Sequence, residues 1–195
     1  MPAQEKLYKK EKTMNVLEAI RERRSIRCYQ DEPVKIEDVK TLLEAAIWAP
    51  NAMNAQVWHF SAVTDRALIG EMTAATKAGM ANGPIPFMRE RSKDPEYDPL
   101  FRAPLVIVIS RADGKFGAFD CGCAAENICL AAKELGYDTC ITAGTEFMFA
   151  GDPGLHAKLQ IPEGYVFVCA ITVGVKKDAP DSHVRDRKED VISYI

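Results

Sequence analysis

The chain has 195 residues, of which 47% are hydrophobic and 27% are charged, a composition ordinary for one globular domain. Its formal net charge is −3, whereas nucleic-acid-binding domains usually carry a basic surplus, so nucleic acid is excluded as the expected partner. No apolar run approaches the roughly 20 residues of a membrane span, so no membrane contact is expected. The N-terminus lacks the apolar core of a signal peptide, and residues 1–13 are expected to form a charged, flexible lead-in.

Apolar residues recur at helical spacing early in the chain, and short apolar runs typical of strands follow between further helical segments. The predicted elements in chain order are a helix from Asn15, a helix over 34–48, a loop over 51–56, a strand over 57–63, a helix from 65 or 66 to about 78, a strand over 105–110, a helix over 119–135, a strand entering a Gly loop over 139–145, a short helix near Leu155 and a strand over 165–175. Helices followed by strands interleaved with helices predict an α+β or three-layer sandwich fold.

Residues 79–104 combine prolines and glycines with many charged side chains. This composition predicts a long irregular insert within a single domain over 1–195, and such loops in compact domains are usually lids or binding loops. Phe87, Met88 and Tyr97 are candidates for stacking on a substrate, although packing on a subunit surface explains them equally well.

The cysteines form no recognisable metal or disulfide pattern. They lie at positions 28, 121, 123, 129, 140 and 169, and their spacing matches neither C-x-x-C nor a common zinc or iron–sulfur motif. Three of them fall in the Ala-rich helical run over 119–135, where small buried thiols pack well. We therefore expect free, reduced cysteines, no metal and a cytoplasmic location.

Several common catalytic motifs are absent from the sequence. No G-x-G-x-x-G follows a strand and no G-x-x-x-x-G-K-[ST] occurs, so neither a dinucleotide-binding turn nor a P-loop is available. The sequence also lacks the G-x-S-x-G of serine hydrolases and the H-E-x-x-H of zinc proteases. A phosphate group, if one is bound, must be held by arginines rather than by a glycine-rich loop.

Four arginines crowd residues 21–27, in the sequence RERRSIR, and a second basic cluster occupies residues 185–188. A guanidinium presents a planar fork of donors that matches phosphate oxygens, so two such clusters brought together could hold a phosphate monoester. The alternative is a helix end, where cations interact favourably with the negative pole of the helix dipole. Taken alone, the arginines favour this second interpretation.

Two motifs stand out when they are taken together: RRSIR at residues 23–27 and WAPNAMNAQVWHF at residues 48–60. Together they resemble the motifs of the nitroreductase family of flavin enzymes. The likeness continues through RAPLVIVIS, through CGCAAENICLAAKEL and its following Gly loop, and through a late R-x-R, so it covers about residues 15–195. Three positions depart from the family pattern, which has serine, proline and in some relatives glutamate where this chain has Asn51, Val57 and Ala143.

The resemblance implies a three-layer α/β/α sandwich around a mostly antiparallel sheet, in an obligate homodimer. It implies one FMN per active site at the subunit interface, with no metal and no catalytic side chain, and with the backbone of Gly144 near flavin N5. The residues implied to bind the cofactor are Arg23, Arg24, Ser25 and Arg27 at the phosphate, ribityl and pyrimidine groups, Arg185 and Arg187 at the phosphate, Pro50, Asn51, Ala52, Asn54 and Gln56 from the opposite subunit, and Thr142, Ala143 and Gly144 beneath the ring.

The resemblance further implies that NADH or NADPH delivers hydride and that a flat, electron-poor acceptor such as a nitroaromatic or quinone receives it, with ping-pong kinetics. Other chemistries occur on the same fold, including flavin fragmentation and dehalogenation, and the quoted residues do not distinguish them. A non-catalytic FMN-binding dimer and a flavin-free interaction protein remain alternatives. The visible spectrum of the protein before and after NADH separates these possibilities.

Overall fold

The computed structural model describes residues 14–177 and 186–195. The helices are α1 (Val16–Glu22), α2 (Ile36–Ile47), α3 (Arg66–Asn82), α4 (Pro86–Ser92), α5 (Gly117–Glu134), α6 (Met148–Gly151) and α7 (Leu155–Lys158), and the strands are β1 (Trp58–Val63), β2 (Leu105–Arg111), β3 (Asp138–Thr142) and β4 (Val166–Gly174). Short 3-10 turns span Ala52–Asn54 and Gly144–Phe147.

The four strands form one antiparallel sheet in the order β1-β2-β4-β3. The central strands β2 and β4 are nearly continuous apolar runs because both of their faces are covered. In the register between them, Ile107 lies opposite Ile171, and Ile171 in turn lies opposite Ile141 of β3. Beyond β3, the segment after α1 adds a parallel bridge between Ser25 and Thr139.

Two hydrophobic clusters fill the opposite faces of the sheet and make the fold three-layered. Side chains alternate along a strand, so Leu105, Ile107 and Ile109 of β2 enter the cluster formed with α2 and α5. Val106 and Val108 point the other way, into the cluster formed with α3, α6 and α7. The predicted α+β sandwich with a central antiparallel sheet is therefore confirmed.

Local sequence explains where several helices begin. Asn15 caps α1 by accepting a hydrogen bond from the Glu18 amide at 3.0 Å, and the Glu18 carboxylate accepts from the Asn15 amide at 3.1 Å. This reciprocal pair is a capping box. Asp65 caps α3 in a similar way, accepting from the Ala67 amide at 2.8 Å.

The predicted elements are present, with one substantial correction. The expectation that residues 79–104 are irregular is wrong for the first half of the segment, because α3 continues to Asn82 and α4 follows over Pro86–Ser92. Residues 93–104 contain neither helix nor strand, as expected. Proline at the first position of α4 is compatible with a helix, since its missing N–H has no partner there in any case. Residues 1–13 and Arg185 lie outside the described residues, so the expectations placed on them stay predictions.

Candidate functional site

The arginine-rich segment after α1 lies alongside the edge strand β3. The Ile26 amide donates to the Thr139 carbonyl at 2.9 Å. Tyr29 links the segment to β4, because its hydroxyl donates to the Ile26 carbonyl at 2.7 Å and lies 2.9 Å from the Thr172 hydroxyl. Burial raises the pKa of Tyr29 far above its ordinary value, so the hydroxyl keeps the proton that it donates. The segment is thus ordered by main-chain contacts, which leaves its arginine side chains available for other partners.

The three arginines after α1 differ in their partners. Arg23 forms an ion pair with Glu126 of α5, with Nε and Oε1 3.2 Å apart. The Arg24 guanidinium donates through Nη1 to the carbonyls of Arg21 and Arg23, while its buried Nε has no partner within the described part of the chain. Arg27 lies over the Phe101 ring at 6.0 Å. A buried donor without an acceptor is costly, so the orphaned Arg24 Nε is a feature that an anionic ligand would explain.

Glu126 of α5 is the acidic partner of the arginine segment. Its carboxylate holds Arg23 at the arginine segment, with the two side chains 42% and 27% exposed. An ion pair that exposed contributes little to stability. Its consequence is orientation, because it restricts where the Arg23 guanidinium can point.

The second part of the candidate site is the loop at the end of β3. Thr142 ends the strand, Ala143 is exposed, and Gly144 opens the 3-10 turn. The amide of the first residue in such a turn has no acceptor inside the turn and is free to donate to a ligand. Thr139, which bonds the arginine segment, lies three residues before Thr142, or roughly 10 Å along the strand. The structure therefore brings the arginine segment and the 142–144 loop together on β3.

Two glycine contacts hold this loop against α3. A Cβ added at Gly79 would lie 1.9 Å from the Phe147 carbonyl oxygen, and one added at Gly151 would lie 2.0 Å from the Ala75 carbonyl oxygen. Both distances are far below any allowed contact, so the backbones of α3 and of the segment after Gly144 touch directly. The segment is thereby held against α3 by backbone contacts at Phe147 and, four residues later, at Gly151. These close approaches depend on the fold and leave no periodic pattern in the sequence.

The third part of the candidate site, the loop over residues 50–56, has an unusual backbone. Three residues have left-handed conformations, Met53 with φ 56°, Asn54 with φ 53° and Gln56 with φ 47°. Asparagine tolerates this region, whereas the other two cost about 1 kcal/mol or more each. Asn51 compensates by accepting from the Gln56 amide at 3.0 Å, and the Gln56 side chain donates to Asn54 at 3.1 Å. The loop is therefore a shaped structure maintained by its own polar side chains.

Asp120 of α5 fixes the start of this loop. Its Oδ1 accepts a hydrogen bond from the Ala52 amide at 3.2 Å, across 68 residues of sequence, and the residue is 2% exposed. The carboxylate is therefore buried and hydrogen-bonded, not solvated. The sequence did contain the relevant pattern, because Asp120, Ala124 and Ile128 follow the i, i+4, i+8 spacing of the buried face of α5. Charged residues are seldom buried, so the spacing alone does not single out a carboxylate.

A cavity of about 220 Å³ lies between the 50–52 backbone and the start of α5. It is lined by Pro50, Asn51, Ala52, Phe116, Phe119 and Asp120. Around it lie large apolar side chains that are unusually exposed, with Trp48 78%, Met53 98% and Phe119 73% exposed. Exposed apolar patches of this kind mark interaction surfaces.

The structure does not bring all the predicted site residues together. Within the described chain, no hydrogen bond or ion pair joins the 50–56 loop to the arginine segment. Arg187 is exposed, whereas Arg185 lies outside the described residues, so the second basic cluster is not placed relative to the first. Trp58 lies in the core, and the His59 ring packs edge-on against Tyr165, with the ring centroids 6.3 Å apart.

All six cysteines are free thiols. Burial raises the pKa of Cys121 and of Cys129 to about 11, and that of Cys169 to about 12. Thiols with such pKa values are protonated near neutral pH and are poor nucleophiles. Within residues 14–177 and 186–195 no group of three or more His, Cys, Asp or Glu side chains could hold a metal ion, and no helix is long and apolar enough to span a membrane.

Comparison with known proteins places this arrangement in a family. The model of the Nitroreductase family matches residues 20–175, so the chain belongs to the nitroreductase family. A relative from Archaeoglobus fulgidus, whose name places it among the NAD(P)H nitroreductases, is 33% identical over 177 residues, covering 87% of this chain and 90% of the relative. A nitrobenzene nitroreductase from Ectopseudomonas oleovorans is 29% identical over 201 residues, covering 80% of this chain and 84% of that enzyme.

A solved structure shares the fold. The nitroreductase of Bacteroides fragilis, crystallised with bound FMN, superposes with a TM-score of 0.85 at 28% sequence identity. The match covers 92% of this chain and 98% of the Bacteroides chain. The family resemblance first suggested by the RRSIR and WAPNAMNAQVWHF motifs is therefore confirmed.

Proposed function

We propose that this protein is an FMN-dependent NAD(P)H oxidoreductase that passes hydride to flat, electron-poor acceptors such as nitroaromatics or quinones. The observation that carries the proposal is the juxtaposition on β3 of the arginine segment, bonded at Thr139, with the 142–144 loop at the end of the strand. Membership of the nitroreductase family and the FMN bound to the Bacteroides fragilis relative support it.

The residues present fit FMN at its phosphate end. A phosphate ester needs charged donors, and the segment supplies the guanidinium groups of Arg23, Arg24 and Arg27 with the hydroxyl of Ser25. The buried Arg24 Nε without a partner fits this assignment, because a phosphate oxygen would satisfy it. Arg185 and Arg187, from the second basic cluster, are proposed to complete this end.

The residues also fit at the ring end. Thr142, Ala143 and Gly144 would lie beneath the isoalloxazine, and the Gly144 amide would be the backbone donor to N5. Once bound, FMN supplies the hydride chemistry, accepting from NAD(P)H and delivering to the acceptor. The protein's part is to hold the ring, to supply a backbone donor that orients it, and to exclude water from the face on which substrates stack.

The remaining cofactor residues are proposed to act across a homodimer interface. They are Pro50, Asn51, Ala52, Asn54 and Gln56. Support comes from the apolar surface that one chain leaves uncovered, which includes Leu17 and Ile20 of α1, 61% and 50% exposed, together with the aromatic groups around the 220 Å³ cavity. A second copy would cover these faces and bring the 50–56 loop to the partner's flavin. Analytical ultracentrifugation of wild type and of Leu17→Glu tests this assembly, and a wild type that stays monomeric at micromolar concentration refutes it.

The first experiment on function is spectroscopic. The purified protein, reconstituted with FMN, is expected to show bound-flavin absorption bands that bleach on anaerobic addition of NADH or NADPH and return when a nitroaromatic or quinone is added. Initial rates over a matrix of both substrate concentrations are expected to give the parallel reciprocal lines of a ping-pong mechanism. A chain that binds no FMN refutes the proposal, and one that binds FMN without bleaching is a flavin-binding dimer and not a reductase.

The second experiment tests the phosphate assignment. Arg24→Met removes the orphaned donor and is expected to weaken FMN binding by roughly 10- to 100-fold, the range for a lost charge-assisted hydrogen bond. The matched control is Arg66→Met, which removes an arginine paired with Asp31 outside the segment. Riboflavin, which lacks the phosphate, should bind wild type and Arg24→Met equally. Equal loss of riboflavin binding would show that Arg24 acts on the fold instead.

A further inference from the structure

Asp120 occupies a place that neither solvation nor core packing explains. Burying a carboxylate is expensive unless it accepts hydrogen bonds, and Asp120 accepts one from the Ala52 amide of the distant 50–56 loop. The carboxylate sits in the first turn of α5, an 18-residue helix whose N-terminal partial positive charge favours an anion there. The helix N-terminus therefore attracts the Asp120 carboxylate at the place where it contacts the loop.

The loop that Asp120 holds needs an external anchor. Its Met53, Asn54 and Gln56 have left-handed backbone conformations. Among the described residues, the side chain of Asn51 forms hydrogen bonds within the loop or to Ala49. Those internal bonds set the loop's shape, but they do not fix the loop relative to the rest of the molecule. The Asp120 bond is the hydrogen bond from α5 to the loop, and it acts at Ala52, where the 3-10 turn begins.

We infer that Asp120 is a positioning residue, which holds the 50–56 loop in the conformation that contacts flavin. The inference rests on the proposed function, because it assigns Asp120 a task at the flavin site described above. Asp120 acts through Ala52 and does not itself touch the cofactor. A shift of the loop by about 1 Å is enough to cost substantial binding or rate, since the contacts depend on fixed geometry.

The test compares three variants as reconstituted dimers. Asp120→Ala removes the acceptor, and Asp120→Asn keeps an oxygen in the same place without the charge. Asp38→Ala is the control, because Asp38 also accepts a hydrogen bond, from the Tyr137 hydroxyl at 2.8 Å, and is partly buried. It lies in the first turn of α2, at the opposite end of that helix from the loop, roughly 15 Å away along the axis.

The readouts are the FMN dissociation constant, the KM for NAD(P)H, the sedimentation coefficient and the melting temperature. We expect Asp120→Ala to weaken FMN binding by about tenfold or more while the dimer persists. Asp120→Asn is expected to restore binding to within about threefold of wild type, because an amide oxygen also accepts from Ala52. Asp38→Ala is expected to lower the melting temperature without changing FMN affinity.

Several outcomes overturn the inference. If Asp120→Ala does not fold, Asp120 contributes to core stability instead. If Asp120→Asn loses as much FMN affinity as Asp120→Ala, the charge of Asp120 matters and not its hydrogen bond to Ala52. If wild type binds FMN and Asp120→Ala binds it with the same affinity, this inference is refuted and the proposed function is not. Wild type that binds no FMN refutes the proposed function itself, so the two failures are distinguishable.

Discussion

The contact between α3 and the segment after Gly144 predicts that alanine destabilises the protein at one glycine of α3 and stabilises it at another. Gly79 and Gly70 both lie in α3, but an added Cβ at Gly79 meets the Phe147 carbonyl oxygen at 1.9 Å, whereas one at Gly70 meets nothing within 4 Å. The same substitution by alanine therefore tests backbone packing at one site and helix propensity alone at the other. Because both changes add one methyl group to one helix, each serves as the control for the other.

The magnitudes follow from the distances. Alanine at position 79 requires the Phe147 oxygen to retreat by roughly 1.5 Å before it reaches the 3.4 Å of an ordinary contact, and overpacking of this kind costs about 1–3 kcal/mol or more. Alanine at the exposed position 70 stabilises by about 0.5–1 kcal/mol because glycine loses more backbone entropy in a helix. For a chain of this size 1 kcal/mol shifts the melting temperature by about 2–4 °C.

Urea unfolding at a fixed protein concentration gives the two free energies, and the concentration must be matched because dimer formation contributes to stability. FMN affinity is measured on the same samples. We expect Gly79→Ala to lose both stability and flavin affinity, because the 143–147 turn moves with Phe147, and Gly70→Ala to gain stability with unchanged affinity. Equal changes in both variants, or a stabilised Gly79→Ala, would refute the proposed backbone contact.

Three further predictions concern the thiols and the 50–56 loop. Burial raises the pKa of Cys129 to about 11, against about 8.5 when unfolded, so the folded state retains a proton that the unfolded state loses. Cys129 alone should therefore lower the free energy of unfolding by about 2–3 kcal/mol between pH 8.5 and 11, in addition to the contributions of Cys121 and Cys169, and Cys129→Ala should remove that share of the slope in urea unfolding. Cys28 and Cys123, which are partly exposed, should react with a thiol reagent at pH 8 well before the buried cysteines, as peptide mapping would show; equal rates would contradict the burial pattern. Asn51→Ala should lower the free energy of unfolding by about 1–2 kcal/mol, since it leaves the Gln56 amide without its acceptor, and an unchanged value would mean that water replaces the bond.

Much of the fold could be predicted because its patterns are local. The helical periodicity of residues 34–48, the proline after it, and the apolar run of β2 each report a backbone period directly. The helix α4 was missed for an equally local reason: the prolines on either side of it suggested a loop, yet Pro86 stands at the first helical position, where proline is accommodated. The proline content of the segment therefore predicted a loop, whereas the position of Pro86 at the helix start is compatible with a helix.

The candidate site was predicted only in part, because several of its contacts join distant segments. The arginine segment and the 142–144 loop were recognised through a family resemblance, and neither motif indicates that the two meet along β3. The roles of Glu126 and Asp120 depend on which face of α5 meets which loop. Gly79 and Gly151 are unremarkable in the sequence, because a backbone-to-backbone approach is defined by two segments at once.

Helix α5 connects these observations, because it contacts both proposed halves of the flavin site. Asp120 bonds the loop proposed to reach the partner's flavin, and Glu126 pairs with an arginine proposed to bind the same subunit's flavin. Six residues separate them, which is about 9 Å along the helix and well over a full turn, so the two carboxylates point to different sides. If both assignments hold, any tilt or translation of α5 would move the arginine segment of one site and the loop of the other together. The α5 helix of each subunit would then support both active sites of the proposed dimer. A substitution of either carboxylate that moves α5 should therefore weaken FMN binding at both sites.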